Sequence, residues 1–172
     1  TATNPDEAQT RIEAEAPDGL RGAAVQFDRI TVTGTEDLLM AAVLAEGETV
    51  LENAAREPEV ADLAELLTRM GARIEGAGTS TIRIQGVRKL HGAEHTIIPD
   101  RIEAGTFLIA GAMTGGDLLV TGCNPEHLTA LVLKLRQTGV EVAEAGPSSL
   151  RVRGKGRLRS ADVTTEEYPG FA

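Results

Sequence analysis

The stretch PDRIEAGTF, residues 99–107, lies between two similar halves of the chain and opens a run of small and apolar residues that reaches Met113. Proline disfavours a helical conformation in the residue before it, so a helix here begins after Pro99. Asp100 is a typical N-cap residue, and Glu103 completes the pattern of a capping box. Either the stretch is simply a capped helix start, or its free N–H groups and Arg101 form part of an anion site. Capping chemistry alone favours the first interpretation.

An internal repeat extends from this stretch in both directions. The matching segments are LRGA at 20–23, LHGA at 90–93 and LRSA at 158–161, then Gly71 with Gly139, and IRIQG at 82–86 with LRVRG at 150–154. No single match is strong, but their common order and a spacing of about 68 residues indicate a repeated structural unit.

Each copy predicts the same series of elements. The series comprises first helices near 35–44 and 102–113, strands at 49–52 and 118–121, second helices from Pro58 and Pro125 to Gly71 and Gly139, and hairpins of 72–75 with 81–85 and 140–143 with 149–153. The unit is therefore β-α-β-α-β-β, and the fold class is α/β (α+β).

The repeat also predicts how the chain is divided. Residues 1–24 are the end of a preceding unit, with a frayed N-terminus and strand-like alternation over 11–16. Residues 25–94 are one unit, 95–160 the next, and 161–172 the start of a further one. Because a domain seldom starts and stops within a repeat, we expect the chain to be a piece of a longer protein.

Composition narrows the choice of partners. The chain is 41% hydrophobic and 25% charged, with a net charge of −9, which argues against nucleic acid or an anionic membrane as the main partner. A small phosphorylated molecule needs only a local basic cluster and remains compatible. The single cysteine, Cys123, fits a reducing compartment and a structural role, and the three histidines lack metal-ligand spacing, so we predict no metal and no cofactor.

Two further segments combine polar groups with a predicted helix start. In DRITVTGT, residues 28–35, a strand is predicted to end at Thr33 and Gly34. Threonine hydroxyls and free helix N–H groups there can hold phosphate or a uracil edge, although an ordinary turn is the simpler interpretation. In NAAREPE, residues 53–59, the glutamates suit a first helical turn, and Arg56 could reach a carboxylate. The alternating arginines from Arg83 and from Arg151 onward are interpreted as solvated strand faces.

These segments together resemble the UDP-N-acetylglucosamine 1-carboxyvinyltransferase family, the enolpyruvyl transferases that open peptidoglycan synthesis. The resemblance rests on TVTGT with MAA at 31–35 and 40–42, NAAREPE at 53–59 and PDRIEAGTF at 99–107, and it covers about residues 11–172. The shikimate-pathway enolpyruvyl transferases share the repeat but are less similar in the AREPE and PDRIE segments. A non-catalytic binding module of the same repeats is the other alternative.

The resemblance implies an inside-out α/β barrel with two domains of three units each, in a cytoplasmic enzyme without a cofactor. Its substrates are UDP-N-acetylglucosamine and phosphoenolpyruvate, which close the domains around a cleft. The resemblance further implies that Arg29, Ile30, Thr31 and Val32 contact the UDP-sugar, with Arg29 where the family often has lysine. It places Asp100, Arg101 and Glu103 in the hinge beside the cleft.

The resemblance implies equally that this chain contains no catalytic residue. The family's general acid, a loop cysteine, lies upstream of Thr1, and Cys123 does not occupy that loop. The family's catalytic aspartate follows a Pro-x-Phe segment that corresponds to Pro169–Phe171, next to the last residue of this chain. The chain is therefore expected to hold part of the sugar-nucleotide site and to depend on the remainder of the parent chain for catalysis.

Overall fold

The computed structural model describes residues 13–171, which form two consecutive units of helices and strands. The first unit contains β1 (Ala24–Gln26), α1 (Val32–Ala42), β2 (Glu48–Glu52), α2 (Pro58–Arg69), β3 (Arg73–Glu75) and β4 (Thr81–Gln85). The second contains α3 (Arg101–Met113), β5 (Asp117–Thr121), a 3-10 helix (Pro125–Leu128), α4 (Thr129–Gln137), β6 (Glu141–Glu144) and β7 (Ser149–Arg153). The α/β class is confirmed, and the order from the first helix to the last hairpin recurs from one unit to the next.

Each unit builds its own sheet around an antiparallel pair of strands. The first sheet has the order β1-β2-β4-β3, with β1 parallel to β2, and the second has the order β5-β7-β6. Glu48 of β2 lies opposite Gln85 of β4, and Asp117 of β5 lies opposite Arg153 of β7. The two central pairs therefore begin in equivalent register.

The last strand of each unit shows why the sheet has one buried face. In β4, Ile82 and Ile84 are 0% exposed, whereas Arg83 between them is exposed. Leu150 and Val152 repeat this alternation in β7. Because successive side chains point to opposite faces of a strand, these residues bury one face beneath the helices of the same unit. Two hydrophobic clusters result, one in each unit.

The repeated LRGA-type motif fastens the chain to the end of the preceding helix. The His91 N–H donates to the Met70 carbonyl at 2.9 Å, and the Arg159 N–H donates to the Thr138 carbonyl at 3.0 Å. Gly71 and Gly139, directly after these carbonyl groups, have φ values of 102° and 91°. Such values favour glycine, so the predicted ends of α2 and α4 are confirmed.

The predicted strand ending at Thr33 and Gly34 is wrong. The strand β1 ends at Gln26, and α1 already begins at Val32. Thr31 is extended (φ −141°, ψ 122°), and its hydroxyl oxygen accepts from the Gly34 N–H at 3.2 Å, which is N-cap geometry. The apolar residues that suggested a strand, including Ile30 and Val32, instead pack against the first cluster.

The second unit lacks the predicted leading strand. Residues 86–100, here called the connector, form no strand, so β5 has one strand partner where β2 has two. The connector lies along α2 instead, because His91 bonds to Met70 and the His95 Nε2 lies 2.9 Å from the Asp62 Oδ1. The expected strand over 11–16 is also not found: 13–16 are irregular, and Arg11 and Ile12 lie outside the described residues. Finally, the chain after Pro125 forms a 3-10 turn before α4 begins.

Candidate functional site

The four residues expected to contact a sugar nucleotide lie at the start of α1 and divide into two pairs. Arg29 and Thr31 are exposed, and Arg29 forms no hydrogen bond or ion pair with other described residues. Ile30 and Val32 are half-buried against the first cluster. Only the first pair therefore exposes its side chains to solvent, and the second pair anchors the turn that holds them.

A loop after β2 braces this turn from behind. The Asn53 side-chain amide donates to the Phe27 carbonyl at 2.9 Å, and the Ala55 N–H donates to the Thr35 hydroxyl at 3.0 Å. Thr35 is 0% exposed, and its own hydroxyl donates to the Thr31 carbonyl at 2.7 Å. The segment 53–59 thus holds the first turn of α1 in place, a contact between distant segments that local sequence patterns do not reveal.

The start of α3 confirms the cap at Asp100. The Asp100 Oδ1 accepts from the Ile102 N–H at 2.7 Å and from the Glu103 N–H at 3.0 Å. The reciprocal half of the predicted capping box is absent among the described residues, because the exposed Glu103 side chain makes no bond back to Asp100. Asp100 alone therefore caps this helix.

Arg101 joins three segments of the chain. Its guanidinium donates to both carboxylate oxygens of Glu59 on α2, from Nη2 at 3.0 Å and from Nε at 3.3 Å. The same group lies 5.3 Å from the ring centroid of Tyr168. Only 12% of the Arg101 side chain is exposed. The anion site considered from the sequence is not supported at this residue, because its charge is already paired with Glu59 through Nε and Nη2.

A cavity of about 190 Å³ opens beside Arg101. It lies between α3, the 3-10 helix and the C-terminal segment, and its lining includes Thr106, His127 and Phe171. The His127 Nδ1 is buried without a partner, while its Nε2 lies 3.0 Å from the Asn124 amide. The lining therefore combines polar residues such as Thr106 and His127 with apolar ones such as Phe171.

Glu59 interacts electrostatically with the start of α1 and forms an ion pair with the start of α3. Burial raises the pKa of the Glu36 carboxyl on α1, and the negative charges of Glu59, Asp37 and Glu57 raise it further. Glu59 is also the partner of Arg101. The structure therefore brings the two predicted segments into one electrostatic neighbourhood.

Several expectations about single residues are corrected or confirmed. Arg56 is exposed and has no carboxylate partner among the described residues. His95 lies in the connector, a loop as the sequence suggests, and its side chain is 6% exposed and paired with Asp62. Cys123 is buried, with its Sγ 3.8 Å from the Ser148 carbonyl oxygen, which supports a structural role.

Two further observations concern the types of site that the chain could contain. Among residues 13–171, no three His, Cys, Asp or Glu side chains are grouped so that they could hold a metal ion. Within the same residues, no helix combines the length and apolar character that crossing a bilayer requires.

Comparison with known proteins places this architecture in a class. The family model described as EPSP synthase (3-phosphoshikimate 1-carboxyvinyltransferase) matches residues 3–172. The structure resembles the enolpyruvyl transferase NikO from Streptomyces tendae, with a TM-score of 0.67, 27% identity, and coverage of 81% of this chain and 34% of NikO. It also shares the fold of EPSP synthase from Acinetobacter baumannii, with a TM-score of 0.58 and 24% identity over 83% of this chain and 34% of that one. The chain belongs to the EPSP synthase family, which includes enolpyruvyl transferases.

Within the family, the similarity is to one type of enzyme. The chain is 76% identical over 161 residues to the UDP-N-acetylglucosamine 1-carboxyvinyltransferase of Solibacter usitatus, covering 94% of this chain and 38% of that protein. It is 72% identical over 160 residues to the protein of the same name from Acidobacterium capsulatum, covering 93% and 36%. The chain thus spans less than half the length of the curated relatives it matches, and the resemblance deduced from the three motifs is confirmed.

Proposed function

We propose that the chain is a segment of a cytoplasmic enzyme that transfers the enolpyruvyl group of phosphoenolpyruvate to the 3-hydroxyl of UDP-N-acetylglucosamine, a step of peptidoglycan precursor synthesis. The observation that carries the proposal is the 76% identity to a protein of that name. In this reaction the 3-hydroxyl oxygen adds to C2 of phosphoenolpyruvate while C3 gains a proton. Loss of inorganic phosphate from C2 and of a proton from C3 then restores the double bond.

The part of the reaction assigned to this chain is binding. Arg29 and Thr31 are exposed at the start of a helix whose first N–H groups favour negative charge, which suits a nucleoside diphosphate. A guanidinium at position 29 offers bidentate contacts that the lysine common in the family does not. Ile30 and Val32 keep these groups in position through their contacts with the first cluster.

The other assigned segment acts between the domains. Asp100 fixes the start of α3, Arg101 links that start to α2, and Glu103 lies exposed on the first turn. These contacts support a hinge position rather than a catalytic one. The general-acid cysteine and the catalytic aspartate belong, in this proposal, to the remainder of the parent chain.

The larger architecture is proposed from the same resemblance. Residues 25–94 close the first domain of an inside-out α/β barrel, 95–160 form a unit of the second, and 1–24 and 161–172 belong to neighbouring units. Large apolar side chains on the outside of α3 support this arrangement, since Phe107 is 52% exposed and Met113 is 72% exposed. A helix that is apolar on several faces is typically covered by further elements.

Calorimetric titration with UDP-N-acetylglucosamine tests the binding role. We expect weak binding that falls at least about tenfold in Arg29→Ala, the loss expected for a charge-assisted hydrogen bond. The matched control is Arg88→Ala, another exposed arginine of the first unit without a partner among the described residues. Equal losses in both variants, or no binding by the unsubstituted 172-residue chain, would contradict the assignment.

Two additional measurements separate the alternatives. Binding of shikimate 3-phosphate without binding of the UDP-sugar would favour the shikimate-pathway reaction that the family model is named for. Phosphate release from both substrates should be absent for this chain alone. Turnover that persists in Cys123→Ser would show that the chain holds catalytic groups that the proposal places elsewhere.

A further inference from the structure

Three glutamates, here called the acidic cluster, lie where α1 and α2 begin: Glu36 on α1, Glu57 directly before α2, and Glu59 in its first turn. The bond from the Ala55 N–H to the Thr35 hydroxyl fixes the two segments against each other at 3.0 Å, one residue from Glu36 and two from Glu57. The carboxylates are close enough that Glu57 and Glu59 both raise the pKa of Glu36. The cluster is therefore a property of the packed fold.

Glu57 is the unusual member of the cluster. The residue is 6% exposed, and its Oε2 is buried without a hydrogen-bond partner in the described part of the chain. It precedes α2 as the N-cap residue, yet its side chain makes no capping bond. A buried carboxylate oxygen without a partner is costly, and native structures seldom retain one unless something binds it.

The basic side chains of the described residues do not neutralise the acidic cluster. Arg101 is the one guanidinium bonded to the cluster within residues 13–171, and it binds Glu59 alone, through Nε and Nη2. Glu36 and Glu57 are left without a basic partner among these residues. A metal ion is not favoured either, because no group of three or more possible ligands is arranged to hold one there.

The second unit shows that the repeat does not require a carboxylate at the position of Glu57. Asn124 occupies the position equivalent to Glu57, directly before Pro125 as Glu57 is before Pro58. Its side chain accepts from the Glu126 N–H at 3.1 Å and contacts His127, so it is fully used within its own unit. The carboxylate in the first unit is therefore an addition to the shared architecture.

We propose that the acidic cluster binds a guanidinium group that comes from outside residues 13–171, from the remainder of a longer protein. A guanidinium matches carboxylates in a bidentate manner, as Arg101 already does on Glu59. The source is consistent with length, because the chain covers 38% of its Solibacter relative. The site is thus a contact between this chain and another segment of the longer protein. It does not depend on which substrate the complete protein uses.

The experiment is an NMR titration of the chain, labelled with carbon-13 at the glutamate carboxyl carbons. The probe is N-ethylguanidinium, and tetramethylammonium at equal ionic strength is the control for screening. We expect saturable shifts of the Glu57 and Glu36 signals with the guanidinium only. In Glu57→Asn the affinity should fall at least about tenfold, the loss expected for a charge-assisted hydrogen bond.

Glu57→Asn should still fold, because it copies the residue that the second unit uses at this position. Retained shifts in that variant, identical shifts with tetramethylammonium, or no shifts at all would each overturn the proposed site. A dilution series of the protein without N-ethylguanidinium tests where the guanidinium comes from. Carboxyl shifts that follow protein concentration would mean that an arginine of a second copy occupies the site, and would overturn the assignment to a longer chain.

Discussion

Replacement of Arg101 by methionine tests whether the junction between the units depends on one guanidinium. Methionine keeps the unbranched apolar stem and removes the two bonds to Glu59 and the contact with Tyr168. Exposed ion pairs contribute about 0–1 kcal/mol, whereas breaking a buried pair costs about 3–5 kcal/mol. This pair lies between these limits, since its side chains are 12% and 39% exposed.

We therefore expect the free energy of unfolding to fall by about 2.5 kcal/mol, of which about 0.5 kcal/mol is the cation–π contact. Urea unfolding followed by circular dichroism measures the total. Because the chain has one tyrosine and no tryptophan, Tyr168 fluorescence reports directly on the Arg101 contact.

The control for this experiment is Arg83→Met, which removes an exposed arginine 3.9 Å from Glu48. Its loss should not exceed about 0.5 kcal/mol. A double-mutant cycle with Glu59→Gln should give a coupling energy of about 1–2 kcal/mol. If Arg101→Met costs no more than the control, or if the coupling is near zero, the two units do not depend on this contact for stability.

Variants at three further positions test other parts of the structure. Asp100→Ala should destabilise α3 by about 1 kcal/mol, whereas Asp100→Asn should retain most of the cap; equal losses in both would contradict the capping role. A hydrogen bond from Arg151, supported by nearby positive charges, lowers the pKa of Asp117 to about 2, so this carboxylate's contribution is present above pH 3.8 and is lost as the pH falls toward 2. That acid-dependent loss should disappear in Asp117→Asn. Burial raises the pKa of Glu36 above 4.5, so stability should instead fall as the pH rises through the raised value, and Glu36→Gln should abolish this slope in urea unfolding.

The elements that sequence analysis located well are those defined by local patterns. The alternation around Ile82 and Ile84 and the glycines after α2 and α4 depend on neighbouring residues, so the hairpins and helix ends could be predicted. The start of α1 was predicted late, because a threonine cap followed by apolar residues also fits a strand. Local patterns alone do not distinguish a strand from a helix start here. The contact between Thr35 and Ala55, which is distant in sequence, supports the helix start.

The candidate site shows the same division. Asp100 could be identified as a cap because its partners are two and three residues away. The roles of Arg101 and His95 depend on residues that are far away in the chain, and the Glu57 side chain has an oxygen without a partner among the described residues. The missing strand before α3 has a similar cause, since the connector binds α2 and does not extend the second sheet.

The path of the connector also determines where the molecule can be divided. The first sheet ends at Gln85, yet hydrogen bonds and ion pairs to α2 continue through His91 and His95 as far as Arg101. A protease site or a recombinant boundary placed just after β4 would remove the connector that packs on α2. Asp62 and Glu59 would then lose their partners His95 and Arg101. An independently expressed first unit should therefore extend beyond position 101, and swaps of units between relatives should exchange α2 and the connector together.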